Sequence, residues 1–500
     1  MDGYCFRNLT SRRVRPERIA ATLSTPLASM IEGVRPVTDL PKDLLVAPKW
    51  QERLDELAAK HSVPGAQVGV IALGEDGAAD IRVITTGVTS LNTRVDVDAD
   101  TLFQYGSASK IWTTTLIMQL VDEGKLTLDT LVVEVLPEFT IADPSNTKEI
   151  TIRQLLTHTS GIDGDLFNDT GDGDDCVEKY VDELATAISV TEPGGHLSYS
   201  NAGFAVAGRI VEVLREMTWD EALVEYLWKP LGLTHIITKA KDAPLFRTAV
   251  GHVANPDRTS PDKVVPTKQW LLPRGIGPAG IITGSVSSLL TFGAAHMRDG
   301  LALTGERILS EESARLMRTP QFDLTAVSSV DQAWGLGWIL SDWGGVTSAQ
   351  HGGATIGQIT RFHTFPELGL AMAVVTNSRG GGALAHDIEK EIAQELDLVL
   401  PEPKSEPDAA DIDLSHILGT YESTTVRIKL TRGDDGGFQV QNFAKVEIDG
   451  EPPAPPTKVV PLSASRFSIS NESASGEMAH LTIDGEEYLY MTRLFKKISD

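Results

Sequence analysis

The stretch "YGSASKIWTT", Tyr105 to Thr114, places a serine three residues ahead of a lysine. On a helix that spacing puts Ser107 and Lys110 on one face, within reach of each other. A serine hydroxyl is a weak nucleophile at neutral pH and needs an adjacent base. A lysine can be that base once burial has lowered its pKa. The residues that follow, "KIWTTTLIMQLVDEGKL", carry apolar side chains at Ile111, Leu116, Met118, Leu120 and Val121. They predict a helix buried on nearly every side and stopped at Gly124. A lysine in the first turn of such a helix is not an ordinary surface charge. The helix N-terminus also adds positive potential at Ser107. The pair suits a serine nucleophile activated by a lysine base, although Ser-x-x-Lys alone occurs on many surface helices.

Two further clusters extend the set. "PGGHLSYSNAGFAVAGRIVE" holds Tyr199 and Asn201 just before an apolar helix. A tyrosine beside a lysine ionises more readily, because the cation favours the phenolate, and can relay protons to the serine and the leaving group. Asn201 can donate an amide hydrogen bond to a substrate carbonyl. "QHGGATIG" holds His351, Gly352 and Gly353, and glycines let a backbone approach a ligand closely. The amide of Ala354 can join that of Ser107 as an oxyanion hole. Taken singly, Tyr-x-Asn is most often a turn with an N-cap, and His-Gly-Gly a plain turn. A dinucleotide loop at 352–357 is disfavoured by the glycine spacing and by the lack of a βαβ frame.

In this order, Ser-x-x-Lys, Tyr-x-Asn and His-x-Gly resemble the serine β-lactamase and penicillin-binding-protein superfamily. "ITIRQLLTHTSGI", "YLWKPLGLTHI", "GPAGIITGSVSSLLTF" and "WGLGWIL" resemble recurring blocks of its class C-like branch, so the resemblance spans roughly residues 50–400. It implies an α+β fold: a three-layer arrangement of an antiparallel sheet flanked by helices, beside a mostly helical subdomain, with the active site in the cleft between. It implies Ser107 as nucleophile and Lys110 and Tyr199 as partners in acid–base work. Asn201 would position substrate, His351 would take the third-motif position, and Gly352, Gly353 and Ala354 would line the oxyanion side. No metal or cofactor is implied. Where β-lactamases and many DD-peptidases carry Lys-Thr-Gly, this chain has His351, mostly neutral at pH 7. His-x-Gly resembles the carboxylesterases and D-aminopeptidases of the superfamily. The expectation is a serine hydrolase of neutral, apolar carboxylic esters or lactones. The alternatives are a D-aminopeptidase or D,D-peptidase acting on amides, a β-lactamase, an acyltransferase and, from another class, a non-catalytic binding or scaffold protein on the same fold. Arg361, on the next strand, is the residue that could restore a cation.

These residues need elements to hold them. "KWQERLDELAAKHSVPGA" predicts an amphipathic helix with Trp50, Leu54, Leu57 and Ala58 on one face. "AQVGVIALGEDGAADIRVITTGVTS" predicts a hairpin, "HTFPELGLAMAVVTN" two more strands, and "HDIEKEIAQELDLVL" a helix. "PEPKSEPDAADID" reads as a linker. Beyond it, "TTVRIKLTR", "GGFQVQNF", "RFSIS", "HLTIDG" and "EYLYMTRL" predict the short strands of a C-terminal all-β, barrel-like domain. The expected division is an N-terminal extension at 1–48, a hydrolase domain at 49–400, a linker at 401–411 and the barrel-like domain at 412–500. Six aspartates lie in "GIDGDLFNDTGDGDDCVEKY" without EF-hand spacing, so residues 163–175 are expected to be a solvated loop on the cleft rim rather than a cation site. His158 is expected to be structural, and Trp334 and Trp338 to pack near the sheet.

The bulk properties narrow the partners. A net charge of -25 over 500 residues repels nucleic acid and anionic lipid, so neither is expected as a partner. No apolar run is long enough to span a membrane. Two cysteines, Cys5 and Cys176, leave no disulfide framework and suit the cytoplasm. Arg12 and Arg13 resemble a twin-arginine export signal, but Arg15 and the broken apolar stretch after it argue against export. The expected partner is a small-molecule ester, lactone or amide. The N-terminal extension and the added β domain are compatible with a homo-oligomer.

Overall fold

The computed structural model describes residues 39–499, apart from 75–76, 258, 408, 410–411, 446–454 and 471–474. Cys5, Arg12, Arg13 and nearly all of the N-terminal extension lie outside these residues. The first helix, α1 (Pro48–Lys60), buries Trp50, Leu54, Leu57 and Ala58, the stripe its sequence predicts. The hairpin forms as β1 (Gly65–Leu73) and β2 (Ala79–Gly87), with Gly65 opposite Gly87. Two long helices follow, α2 (Ser109–Asp122) and α3 (Asn201–Arg215), packed on each other. Short helices, among them Ile152–Leu156, Cys176–Glu183 and Trp219–Leu223, make up the rest of the helical part. A third long helix, α4 (Val286–Met297), returns the chain to the sheet.

The rest of the sheet is made by β3 (Phe322–Asp323), β4 (Gln332–Trp334), β5 (Ile339–Asp342), β6 (Thr347–Gln350), β7 (Gly353–Ala354), β8 (Ile359–Phe365) and β9 (Leu370–Thr376). The strand order is β2-β1-β9-β8-β6-β5-β4-β3, with β7 on β8. The pairings are antiparallel. Every residue of β9 is buried, because helices cover both faces of the sheet. On one side α4 lies on β1 and β9, and on the other α5 (Gly381–Glu395) lies with α1. The helix read from "HDIEKEIAQELDLVL" thus begins five residues before His386. The fold is α+β in three layers, with the helical part beside them.

The C-terminal strands close into a barrel. They are β10 (Gly419–Glu422), β11 (Val426–Arg432), β12 (Phe438–Ala444), β13 (Thr457–Pro461), β14 (Arg466–Ser470), β15 (Ser475–Ile483), β16 (Glu486–Met491) and β17 (Arg493–Ser499). Five were expected. The run "EYLYMTRL", read as one strand, turns at Thr492, whose φ of 59° reverses the chain between β16 and β17. Tyr421, Ile428, Leu430, Val440, Phe467, Leu489 and Phe495 fill the interior, so the barrel has a packed core. Its outer face at Ala479, Tyr488, Tyr490 and Leu494 packs against Leu197, Leu324 and Trp334. Pro36–Asp500 forms one compact unit. Among the described residues no helix is long and apolar enough to cross a membrane.

Candidate active site

Ser107 stands in a one-turn 3-10 helix, Gly106–Ala108, that leads directly into α2. Gly106 has a φ of 55°, and a Cβ there would lie 2.7 Å from the Ala354 amide nitrogen. Only glycine permits both the turn and the approach. Lys110 is fully buried in the first turn of α2. Its Nζ lies 3.2 Å from Ser107 Oγ, 2.7 Å from Asn201 Oδ1 and 2.7 Å from the Ala279 carbonyl oxygen. Burial lowers the Lys110 pKa well below its ordinary value; the charge of Arg493 acts in the same direction and that of Asp165 against it. The amine is therefore neutral far below the pH at which an exposed lysine loses its proton.

Tyr199 and Asn201 arrive at the start of α3, where the Ser200 hydroxyl caps the helix by accepting from the Gly203 amide. The Lys110 Nζ is 4.8 Å from the Tyr199 ring centroid. The Tyr199 hydroxyl is buried and has no hydrogen-bond partner of good geometry among the described residues. Burial raises its pKa, against the lowering effects of Ser107 and Arg493. Burial thus opposes the easier ionisation that the sequence suggested for a tyrosine beside a lysine, and Tyr199 is held as a phenol. His158 braces this segment. Its carbonyl accepts from the Ser198 amide and its Nδ1 from the Ser200 amide, each at 2.9 Å. Its ring stacks on Tyr199 with centroids 4.0 Å apart.

His351 is 3% exposed, and its Nδ1 donates to the Gly352 carbonyl at 2.6 Å. Burial, with Lys110 adding to it, pushes its pKa down to about 3, so it is a neutral imidazole. Gly353 lets β7 pass against the Ser107 turn: a Cβ on it would lie 1.9 Å from the Tyr105 oxygen and 2.9 Å from the Ser107 nitrogen. The backbone of Gly353 and Ala354 is thereby brought beside the Ser107 amide. Arg361 is exposed on β8, whereas neighbouring Thr360 donates to the Gln104 oxygen beneath the Ser107 turn. Successive side chains on a strand face opposite ways, so Arg361 points away from Ser107. Its charge acts instead on Glu389 of α5. Trp334 stands edge-on to His158 and Tyr199 at 4.8 and 5.9 Å, while Trp338 packs in the core against Phe362 and His296.

Three further residues stand beside these: Arg493, which sequence reasoning passed over, and Asp163 and Asp165, which it expected in a solvated loop. Asp163 and Asp165 are 7% and 8% exposed, not solvated. Asp163 accepts from the amide and hydroxyl of Thr424 in the barrel. Asp165 Oδ1 accepts from Asn201 Nδ2 at 2.8 Å and from Arg493 Nη2 at 3.0 Å. The Arg493 guanidinium also lies over the Tyr199 ring, 4.8 Å from its centroid. Of the other aspartates in the stretch, Asp169 accepts from the Gly171 amide, and Asp174 and Asp175 pair with Arg274 and Lys179. Among the described residues no three potential ligands gather to hold a metal.

Residues 50–396 match the Beta-lactamase family model, and the chain belongs to that family. It is 41% identical to penicillin-binding protein 4 of Amycolatopsis lactamdurans over 379 residues, which is 75% of this chain and 97% of the relative. The fold is similar to the crystal structure of SurE, with a TM-score of 0.67 at 24% identity over 90% of this chain and 98% of that one. It is also similar to the D-amino acid amidase of Ochrobactrum anthropi SV3 complexed with L-phenylalanine amide, with a TM-score of 0.57 at 21% identity over 69% and 97%. The chain has a β-lactamase-type serine-hydrolase fold.

Proposed function

We propose that this protein is a serine hydrolase that works through an acyl-enzyme on Ser107. The observation that carries the reading is the environment of the Lys110 amine. A neutral amine has two protons and one lone pair. Asn201 Oδ1 and the Ala279 oxygen, each 2.7 Å away, take the two protons. An ammonium would donate to all three oxygens; the neutral amine keeps its two donors on those carbonyls and turns its lone pair to Ser107 Oγ, 3.2 Å away. Ser107 Oγ attacks the substrate carbonyl carbon as its proton passes to Lys110 Nζ. The resulting oxyanion lies against the amides of Ser107 and Ala354. Collapse breaks the bond to the leaving group, which takes a proton from the Tyr199 hydroxyl, itself recharged from Lys110. Water then attacks the acyl ester by the same path and releases the acid.

Amides are the first substrate class. A leaving amine must be protonated, and a tyrosine held as a phenol can supply the proton. The 41% identity to a penicillin-binding protein supports the same class, strained β-lactam amides included. Neutral esters are the second class, favoured by the neutral His351 where a permanent cation would hold a substrate carboxylate. The test uses wild type and S107A with fluorescent penicillin, D-phenylalanine amide and p-nitrophenyl butyrate. Wild type is expected to be labelled by the penicillin, or to turn over at least one of the other two, with S107A inert and folded. Equal turnover by S107A would overturn the reading. The ratio of amide to ester turnover assigns the class.

A further inference from the structure

We infer that Asp165 of the rim loop and Arg493 of the barrel are positioning residues that set the hydrogen bonding of Lys110 through Asn201, so that the active site is incomplete without the β16–β17 turn. The inference rests on the acyl-enzyme reading. An asparagine amide can face a neighbour with either end, and only its oxygen can accept from Lys110. Asp165, an acceptor, holds Asn201 by Nδ2 at 2.8 Å and so turns Oδ1 toward Lys110 Nζ at 2.7 Å. Arg493 fixes Asp165 in turn, with its Nε on Oδ2 and its Nη2 3.0 Å from Oδ1. The chain of contacts runs Arg493, Asp165, Asn201, Lys110, Ser107.

The backbone of the same barrel turn is joined to the Tyr199 segment. The Thr492 carbonyl accepts from the Tyr199 amide at 2.8 Å, and the Leu494 amide donates to the Ser198 hydroxyl at 3.2 Å. Charge supports the geometry. The ionisable groups around Lys110 are Asp165, Arg493, Tyr199, His158 and His351. Burial holds Tyr199 protonated and both imidazoles neutral. Asp165 and Arg493 are left as the opposed charges. Asp165 alone would favour the ammonium form, which cannot accept the serine proton; Arg493 offsets it.

The experiment measures how fast a fluorophosphonate modifies Ser107, read by mass spectrometry across pH. The proteins are full-length wild type, R493Q, R493K, D165N and R493Q/D165N. Phosphonylation forms an O–P bond, expels fluoride and passes the serine proton to Lys110, so its rate rises with pH as the amine becomes free. R493Q is expected to move that rise to higher pH, by ~1 in pH, because the lysine keeps its proton longer. D165N is expected to move it to lower pH, and the double variant to return toward wild type. R493K keeps the charge and loses the two-point grip, so the rise stays near the wild-type pH while the plateau rate falls. Thermal melts of the same proteins separate these effects from unfolding. A merely structural Arg493 would lower Tm and leave one common pH profile in all five; that result overturns the inference while the acyl-enzyme reading stands. Wild type left unmodified at Ser107 would overturn both.

Discussion

Lys110 is served by two sets of partners that are built differently. Ser107 is one helical turn away, and Asn201 opens a capped helix packed on α2. These are products of local geometry: a helical spacing, a cap, a tight turn. Asp165 and Arg493 meet because a barrel has docked, through Tyr488, Tyr490 and Leu494, on Leu197 and Trp334. The difference separates what does the chemistry from what tunes it. Changes in the first set should remove the reaction at any pH. Changes in the second should move its pH range. K110M sharpens this most. Acylation is expected to fall by about 10³-fold or more, with no recovery at high pH. Wild type should retain its rate to a pH well below an ordinary lysine's pKa, because its Lys110 is held neutral. Tm should change little, since removing a buried amine offsets the loss of a donor to Asn201 and Ala279. Rates and melts of the two proteins across pH check both points.

G353A probes the local set from the backbone side. Its Cβ would stand 1.9 Å from the Tyr105 oxygen, and neither backbone can step aside cheaply. β7 must retreat from the Ser107 turn and take the Ala354 amide with it. The expected loss is about 10²-fold in acylation rate, the scale of one oxyanion donor. The pH profile should keep the wild-type shape. A profile displaced along the pH axis would mean that β7 also acts on Lys110.

The two sets differ in legibility for the same physical reason. Ser107 and Lys110 leave a short-range mark, a helical spacing at the start of a buried helix, whereas Tyr199, Asn201 and the glycines at 352–353 stand out only through the order of the three motifs and the resemblance it carries. Periodicity marks α1, the β1–β2 hairpin, β8, β9, α5 and the short C-terminal strands, whereas the three-layer arrangement of the sheet comes from the resemblance. Arg493 left no mark. The turn that presents it uses Thr492 at positive φ, not glycine, so "EYLYMTRL" looks like one strand. The docking face did leave a trace. In β11, Ile428 and Leu430 point into the barrel while Arg427 and Lys429 are exposed, the alternation of a half-solvated strand. In β16, Tyr488, Leu489 and Tyr490 are all buried, Leu489 inside the barrel and the tyrosines against the body. Broken alternation signals a strand covered on both faces, though not by what. Asp163 and Asp165 were misread because a glycine- and aspartate-rich run resembles a solvated loop, and burial of its acids depends on donors from distant residues.

The smallest expected effect is the most discriminating. Asp163 and Asp165 are two residues apart on one loop, and the barrel holds both. Asp163 ends at Thr424, whose amide and hydroxyl donate to its Oδ2 at 2.8 and 2.5 Å. Asp165 goes on to Asn201. T424V keeps the shape and the amide and removes one hydrogen bond to a carboxylate, which should cost about 1.5–3 kcal/mol of stability. Denaturant midpoints should register that loss, while the acylation rate and its dependence on pH stay at wild-type values. If the loop acted on Lys110 as one mechanical piece, loosening it at Asp163 would displace the pH profile as R493Q does. The distinction between a structural clamp and a tuning contact would then collapse. An unshifted profile in T424V beside a shifted one in R493Q places the tuning in a single carboxylate and its arginine.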